Sequence, residues 1–321
     1  MKKFLTILAA TTALAAFVPS AMAAKIAVVG GKADDLFFNK IKKGMDDACL
    51  AVKVNGGTCT YLQLQTYDNI GADAAQLVRT AITQGVDGIV VPNWVPDAED
   101  PAIKEAMAKG IKVILMNAGG GDKAKELGAI NYVGNEEYTA GLAAGATYAK
   151  LGKKNIICIN TVPGAGNLEA RCKGVADGAA KAGSKSTQLP LPASSFGDPT
   201  AVAEAIKATL TKDATIDGAI TISAGDADSA ATGVEQAGKT GKVILASFDF
   251  NQSGLDRIKA GKQGFAIDQQ PYLQGNIAVN LIANYIDFGN LLPTFPVLTG
   301  PGVIDSSNIE ATLKGVKAGA R

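Results

Sequence analysis

Short aliphatic segments typical of buried strands alternate along the chain with segments that have the periodicity of amphipathic helices. The strand-like segments are rich in β-branched residues, for example at 25–29, 88–91 and 155–160, and 202–210 places its apolar residues on one helical face. Alternation of this kind requires parallel sheets covered by helices on both faces. The sequence therefore predicts a doubly wound α/β protein that binds its ligand outside the carboxyl ends of the strands.

The amino terminus has the pattern of an export signal. Lys2 and Lys3 precede an apolar stretch over 4–18, and 21–23 (Ala-Met-Ala) has the small residues of a cleavage site. The alternatives are a buried helix or a membrane anchor, but the stretch is short for a bilayer span. We therefore expect a cleaved signal peptide over 1–23 and a mature protein in the periplasm of a Gram-negative cell.

Charge and histidine content exclude several classes of function. Without residues 1–23, which carry two lysines, 29 basic and 30 acidic residues remain. This balance argues against nucleic acid as a partner. The chain has no histidine, so it offers no Ser-His-Asp or Cys-His pair. We expect no catalytic residue, no cofactor and no metal site.

Paired carboxylates keep one enzymatic alternative open, an exported sugar-processing enzyme with two acids at one glycosidic bond. The candidates are Asp34 with Asp35 and Glu136 with Glu137. Glu136 and Glu137 follow Asn135 where a helix should begin, and acidic residues are favourable at a helix amino terminus without any chemistry. We interpret them as a structural charge pair.

The four cysteines form two local groups. Cys49 and Cys59 lie ten residues apart, and Cys158 and Cys172 lie fourteen apart. In an oxidising compartment this predicts two disulfides, each joining a helix to an adjacent strand; the alternative is four buried thiols.

Six segments share their order and spacing with one known family. Asp34-Asp35-Leu36-Phe37-Phe38 follows the first predicted strand, and the others cover 112–117, 132–141, 169–174, 246–249 and 266–271. In these segments the chain resembles the ribose-type sugar-binding proteins of ABC transporters. The resemblance implies a type I periplasmic binding protein: two doubly wound lobes, 24–133 with 269–297 and 134–268 with 298–321, joined by a three-crossing hinge.

The resemblance also implies a set of ligand-binding residues, which includes aromatic, acidic, amide and guanidinium side chains. A sugar has apolar C–H faces that suit aromatic rings and hydroxyl groups that suit charged or amide partners. Trp94, in the loop after the strand 88–91, is added because it either lines the cleft or caps a lobe. The candidates are Asp35, Phe37, Phe38, Trp94, Asn117, Arg171, Asp226, Asp249 and Gln269.

Several of these candidates have a structural alternative. The Phe pair could be ordinary helix core, Arg171 a surface residue, and Asp249 and Gln269 turn or hinge hydrogen-bonding groups. The chain also departs from the family pattern, because Asn117 is followed by alanine where ribose-binding proteins carry an Asp-Arg pair. A different pentose, a hexose or a polyol would therefore fit better than ribose.

The function implied by the resemblance is capture of a monosaccharide or polyol between the lobes and delivery to the permease of an ABC transporter, by a monomer. The alternatives are a ligand-binding partner of a chemoreceptor or of a quorum-signal uptake system, and the sugar-processing enzyme. The predicted signal peptide argues against a repressor with the same sensor fold, because it occupies the place of a DNA-binding domain.

Overall fold

The computed structural model describes residues 23–292 and 294–321. The predicted signal peptide, apart from Ala23, lies outside the described residues. Within 23–292 and 294–321, no helix is long and apolar enough to cross a membrane.

The described strands form two six-stranded sheets with the same spatial order. The first sheet contains, in chain order, β1 (Lys25–Gly30), β2 (Thr58–Gln63), β3 (Gly88–Val91), β4 (Lys112–Met116), β5 (Asn131–Gly134) and β11 (Val297–Leu298). Its strands are parallel and lie in the order β11-β5-β4-β3-β1-β2. The second sheet contains β6 (Asn155–Asn160), β7 (Lys185–Pro190), β8 (Gly218–Thr221), β9 (Ile244–Phe248), β10 (Gln263–Asp268) and β12 (Gly302–Ile304). Its order is β12-β10-β9-β8-β6-β7, and only the edge strand β12 is antiparallel to its neighbour.

Helices connect the strands and pack on the sheets. They are α1 (Leu36–Val54), α2 (Ile70–Thr83), α3 (Pro96–Ala108), α4 (Gly120–Leu127), α5 (Glu137–Lys150), α6 (Gly166–Ala180), α7 (Pro199–Lys212), α8 (Ala224–Gln236), α9 (Gln252–Lys259), α10 (Pro271–Phe288) and α11 (Ile309–Lys317), with a short 3₁₀ helix at Ala193–Ser195. We call the first sheet with α1 to α4 and α10 the first lobe, and the second sheet with the other helices the second lobe.

The chain passes between the sheets at three places, after Gly134, after Asp268 and after Leu298. These crossings are bonded to one another. The Thr299 amide donates to the Gly134 carbonyl (2.7 Å), and the Thr299 hydroxyl donates to the Gln269 carbonyl (2.7 Å). Three adjacent crossings form a compact hinge that can bend without breaking either sheet.

Glycines bring α5 and α6 unusually close together. A Cβ at Gly141 would collide with the Arg171 carbonyl, and a Cβ at Gly174 would collide with the Tyr138 carbonyl. Because no side chain separates the two helices here, the first turn of α5 lies against the segment of α6 that carries Arg171. This packing brings Glu137 within reach of Arg171.

Both predicted disulfides are confirmed. Cys49 on α1 is bonded to Cys59 on β2, and Cys158 on β6 is bonded to Cys172 on α6. Each joins a helix to a neighbouring strand, and the second lies one residue from Arg171.

Candidate ligand-binding cleft

The carboxyl ends of both sheets face a cleft between the lobes. A space of about 480 Å³ is lined by eight of the predicted residues, namely Asp35, Phe37, Phe38, Trp94, Asn117, Arg171, Asp249 and Gln269. A wider opening of about 1330 Å³ shares Asp35, Phe37 and Asp249 with it and is lined by the ninth, Asp226. The structure therefore brings all nine residues to one connected space.

Aromatic rings form the apolar wall of the cleft on the first lobe. The ring centroids of Phe37 and Phe38 are 5.4 Å apart, and those of Phe38 and Trp94 are 5.6 Å apart, both edge to face. Phe38 and Trp94 are buried, whereas Phe37 is half-buried at the start of α1. Phe38 therefore combines the core position that the alternative interpretation expected with a place in the cleft wall.

Asn117 and Asp249 occupy equivalent positions on the two lobes. Each directly follows a matching strand, β4 or β9, and each has a left-handed backbone, with φ of 65° and 59°. Over the described part of the chain, the buried atoms Asn117 Nδ2 and Asp249 Oδ1 have no hydrogen-bond partner. Strained backbone and unpaired buried polar atoms both cost free energy, and strained backbone in particular is concentrated at functional sites.

Arg171 is buried and bound within the protein. Its Nε and Nη2 donate to the two carboxylate oxygens of Glu137 at 2.6 and 3.1 Å, and Nη1 donates to the Ile222 carbonyl at 2.9 Å. Nη2 also donates to Gln269 Oε1 at 2.6 Å, and Gln269 Nε2 donates to Asp249 Oδ2 at 2.7 Å. Arg171 is therefore not a surface residue, and the network leaves Asp249 Oδ1 free at the cleft.

Three carboxyl groups lie at the cleft in an environment that disfavours their charge. Burial raises the pKa of Asp249 to about 7 and that of Asp226 to about 6. Burial also raises the pKa of Asp35, although Tyr67 donates to Asp35 Oδ2 at 2.5 Å and the Phe37 amide donates to Oδ1 at 2.8 Å. Hydrogen bonds from a ligand to the ionised form of these groups would offset the cost of burying their charge.

Residues outside the predicted set of nine also contribute to the cleft. Tyr67, Asn167 and Phe196 line it directly, and Glu137 binds Arg171 beneath it. Asn167 follows the Gly-Ala-Gly segment that opens α6, a helix amino terminus that offers free amides to a ligand. Nothing local in sequence marks the other three, because their roles depend on residues distant in the chain.

The two lobes contact each other around the cleft. The rings of Tyr67 on the first lobe and Phe196 on the second are edge to face, with centroids 5.0 Å apart. Lys40 Nζ on α1 donates to the Phe250 carbonyl at 3.0 Å, and the Gly166 amide donates to the Trp94 carbonyl at 2.8 Å. The conformation described is therefore one in which the lobes are closed on each other.

The sequence over residues 26–290 matches the family model described as "Periplasmic binding protein domain". The chain belongs to the periplasmic binding protein family. The family assignment confirms the α/β fold predicted from the strand and helix alternation, and it confirms the resemblance on which the predicted cleft was based.

Several members of the family with known structure or assigned ligand are similar to this chain. A carbohydrate transporter protein from Acidothermus cellulolyticus, in complex with myo-inositol, is 36% identical, with a TM-score of 0.83 over 93% of this chain and 99% of that one. An ABC transporter solute-binding protein from Agrobacterium vitis with bound D-fucose is 26% identical, with a TM-score of 0.79 over 91% of this chain and 99% of that one. The xylose/arabinose-binding protein XylF from Sulfolobus acidocaldarius is 24% identical over 303 residues, which are 90% of this chain and 73% of that protein.

These relatives are sugar-binding transport proteins rather than enzymes, which confirms the predicted class of function. As a member of this family, the chain is a solute-binding protein of a sugar transport system.

Proposed function

We propose that this periplasmic binding protein captures one monosaccharide or polyol in the cleft and delivers it, as a monomer, to the permease of an ABC transporter in a Gram-negative periplasm. The observation that carries the proposal is the pair of buried, unpaired atoms, Asn117 Nδ2 and Asp249 Oδ1, one on each lobe. A donor on one lobe and an acceptor on the other match the two hydrogen-bonding capacities of a hydroxyl group.

The remaining contacts would come from the side chains around that pair. Phe37, Phe38 and Trp94 supply rings for the C–H face, while Asp35 and Asp226 accept from hydroxyl groups. Arg171 and Gln269 act mainly by holding Asp249 in place, since four of the five guanidinium N–H groups are already bonded within the protein. The complex of the Acidothermus cellulolyticus relative makes myo-inositol the first compound to test.

Closure would couple ligand binding to transport. We propose that the lobes, 24–133 with 269–297 and 134–268 with 298–321, move as two bodies about the hinge. Ligand binds both lobes only when they are closed, so its differential affinity shifts the equilibrium toward the closed form. The Tyr67–Phe196 and Lys40–Phe250 contacts further stabilise the closed form, and the permease would then recognise that form.

A thermal-shift screen tests the proposal. Mature protein, residues 24–321, is refolded to remove carried-over ligand and heated with myo-inositol, other polyols, pentoses, hexoses, amino acids and nucleosides. A ligand at 100 times its dissociation constant adds about 2.7 kcal/mol of stability, which is readily measured as a higher melting temperature. Stabilisation by a sugar or polyol is the expected result, and stabilisation only by amino acids or nucleosides would contradict it.

Glycine variants then test the two central residues. Because glycine tolerates a left-handed backbone, Asn117→Gly and Asp249→Gly remove the side chain without adding strain. Loss of one hydrogen bond to a buried partner should weaken binding by about 1 to 3 kcal/mol. Unchanged affinity in both variants would exclude these atoms from the ligand site.

A further inference from the structure

The charges at the cleft are unequal. Asp35, Asp226 and Asp249 face the connected space. The other charged groups that line it, apart from Lys40, have counter-ions: Arg171 pairs with Glu137, Arg321 with Asp268, Lys43 with Asp47, and Asp34 with Lys32. Among residues 23–292 and 294–321, none of the three aspartates forms an ion pair with a lysine or arginine. The groups at the cleft that lack a counter-ion are therefore three carboxyl groups and one ammonium, that of Lys40, and an ammonium on the ligand would favour the ionised form of the carboxyl groups.

Lys40 reduces this imbalance only in part. Lys40 lines the wider opening and is half-buried, and its ammonium donates to the Phe250 carbonyl rather than to a carboxylate. Burial lowers its pKa, although Asp249, Asp268 and Asp35 act in the opposite direction.

The unpaired oxygen of Asp249 is the acceptor that an ammonium group on the ligand would meet. Asp249 is 94% buried, lines the cleft and, within the described chain, has no hydrogen-bond partner for Oδ1. Rings of Phe37, Phe38 and Trp94 line the same space. Carboxylate oxygens and aromatic faces both attract ammonium groups.

We propose that the cleft binds amino-substituted monosaccharides or polyols, as ammonium ions, more tightly than the neutral compounds of the same shape, and that it rejects their carboxylated or phosphorylated counterparts. This inference rests on the proposed function, since it assigns the charge of the ligand within the same site. An ammonium donates to a carboxylate in a charge-assisted hydrogen bond, which is stronger than the one a hydroxyl donates. An anion would meet like charges in a poorly solvated space.

Matched compounds separate charge from shape. Isothermal titration of refolded mature protein, at about pH 7 where most amines are protonated, compares three trios. They are glucose, glucosamine and glucuronate; galactose, galactosamine and galacturonate; and myo-inositol, amino-deoxy-myo-inositol and myo-inositol monophosphate. In at least one trio, the amine is expected to bind about fivefold to tenfold more tightly than the neutral member, with no measurable binding of the anion.

Two variants test which carboxylate is responsible. Asp249→Asn should bring the ratio of amine to neutral affinity close to one, because an amide cannot act as the counter-ion. Asp228→Asn is the matched control. Asp228 lies on α8 two residues after Asp226, does not line the cleft and pairs with Arg257, so the ratio of amine to neutral affinity should stay as in the unmodified protein. The comparison of amine, neutral and anionic compounds in the unmodified protein tests the charge preference by itself. The test therefore remains if a variant folds poorly.

Different results would contradict the charge preference and the proposed function. If neutral members bind and no amine binds more tightly, the charge preference is wrong and the proposed function stands. If an anion binds as well as its neutral member, the charge preference is also wrong. If no compound of any trio binds, and the thermal screen finds no other sugar or polyol, the proposed function fails as well.

Discussion

Replacing Glu137 with glutamine removes one charge from a buried ion pair and keeps the shape of the side chain. Glu137 is 7% exposed and Arg171 is 3% exposed, so neither charge is well solvated. Both carboxylate oxygens accept from the guanidinium, at 2.6 and 3.1 Å. In Glu137→Gln the amide presents one acceptor where two were needed and leaves the arginine charge without its counter-ion.

The expected loss in the free energy of unfolding is about 3 kcal/mol. Breaking a buried pair by removing one partner costs about 3 to 5 kcal/mol. The lower value applies here because the Ile222 carbonyl and Gln269 Oε1 still accept from Arg171. Ligand affinity should fall about tenfold or more as well, because the same guanidinium holds Gln269, which in turn holds Asp249.

Urea unfolding measures this loss, and Glu136→Gln is the control. Glu136 is the adjacent residue, half-buried, and accepts one bond from the Gly121 amide at 3.3 Å, so its variant should change stability by less than about 1 kcal/mol. Trp94 is the one tryptophan of the chain, so its fluorescence reports on unfolding of the first lobe. Circular dichroism is needed to follow unfolding of the second lobe. Equal unfolding midpoints for the two variants would refute the assignment of Glu137 as a buried counter-ion.

Three other perturbations have defined outcomes. The raised pKa of Asp249, about 7 against about 3.9 when unfolded, means that the folded state holds a proton that the unfolded state has released. The ligand-free protein should therefore lose stability as pH rises from about 4 to about 7, and Asp249→Asn should flatten this dependence in melting curves taken across pH. Replacing Cys158 and Cys172 with serine opens a loop of 14 residues and should cost about 3 kcal/mol in urea unfolding; a loss below about 1 kcal/mol would show that other contacts fix α6. Phe196→Ala removes one ring of the contact between the lobes and should raise the ligand dissociation rate severalfold in stopped-flow measurements; an unchanged rate would exclude this contact from closure.

Much of the architecture was predictable because its signals are local. Strands such as β1, β3 and β6 appear as short aliphatic segments, and the intervening helices appear as one-sided apolar patterns, so the parallel α/β class follows from the sequence alone. The pairing of the cysteines was predictable for the same reason, since each pair spans ten or fourteen residues. The loops that carry Asn117 and Asp249 follow strands, which is where ligands of such sheets bind.

Only the tertiary structure decided which polar groups are free and which are bound to one another. Glu137 had the sequence pattern of a helix amino-terminal charge, yet α5 and α6 approach so closely at Gly141 and Gly174 that it meets Arg171, 34 residues away. Arg171 in turn meets Gln269, 98 residues away. The composition and periodicity of a segment determine the burial of its own faces, but the partner of a buried charge depends on packing between distant segments. The sequence alone therefore determined the fold class and the loops of the cleft, and the packing of the lobes decided which atoms are left for the ligand.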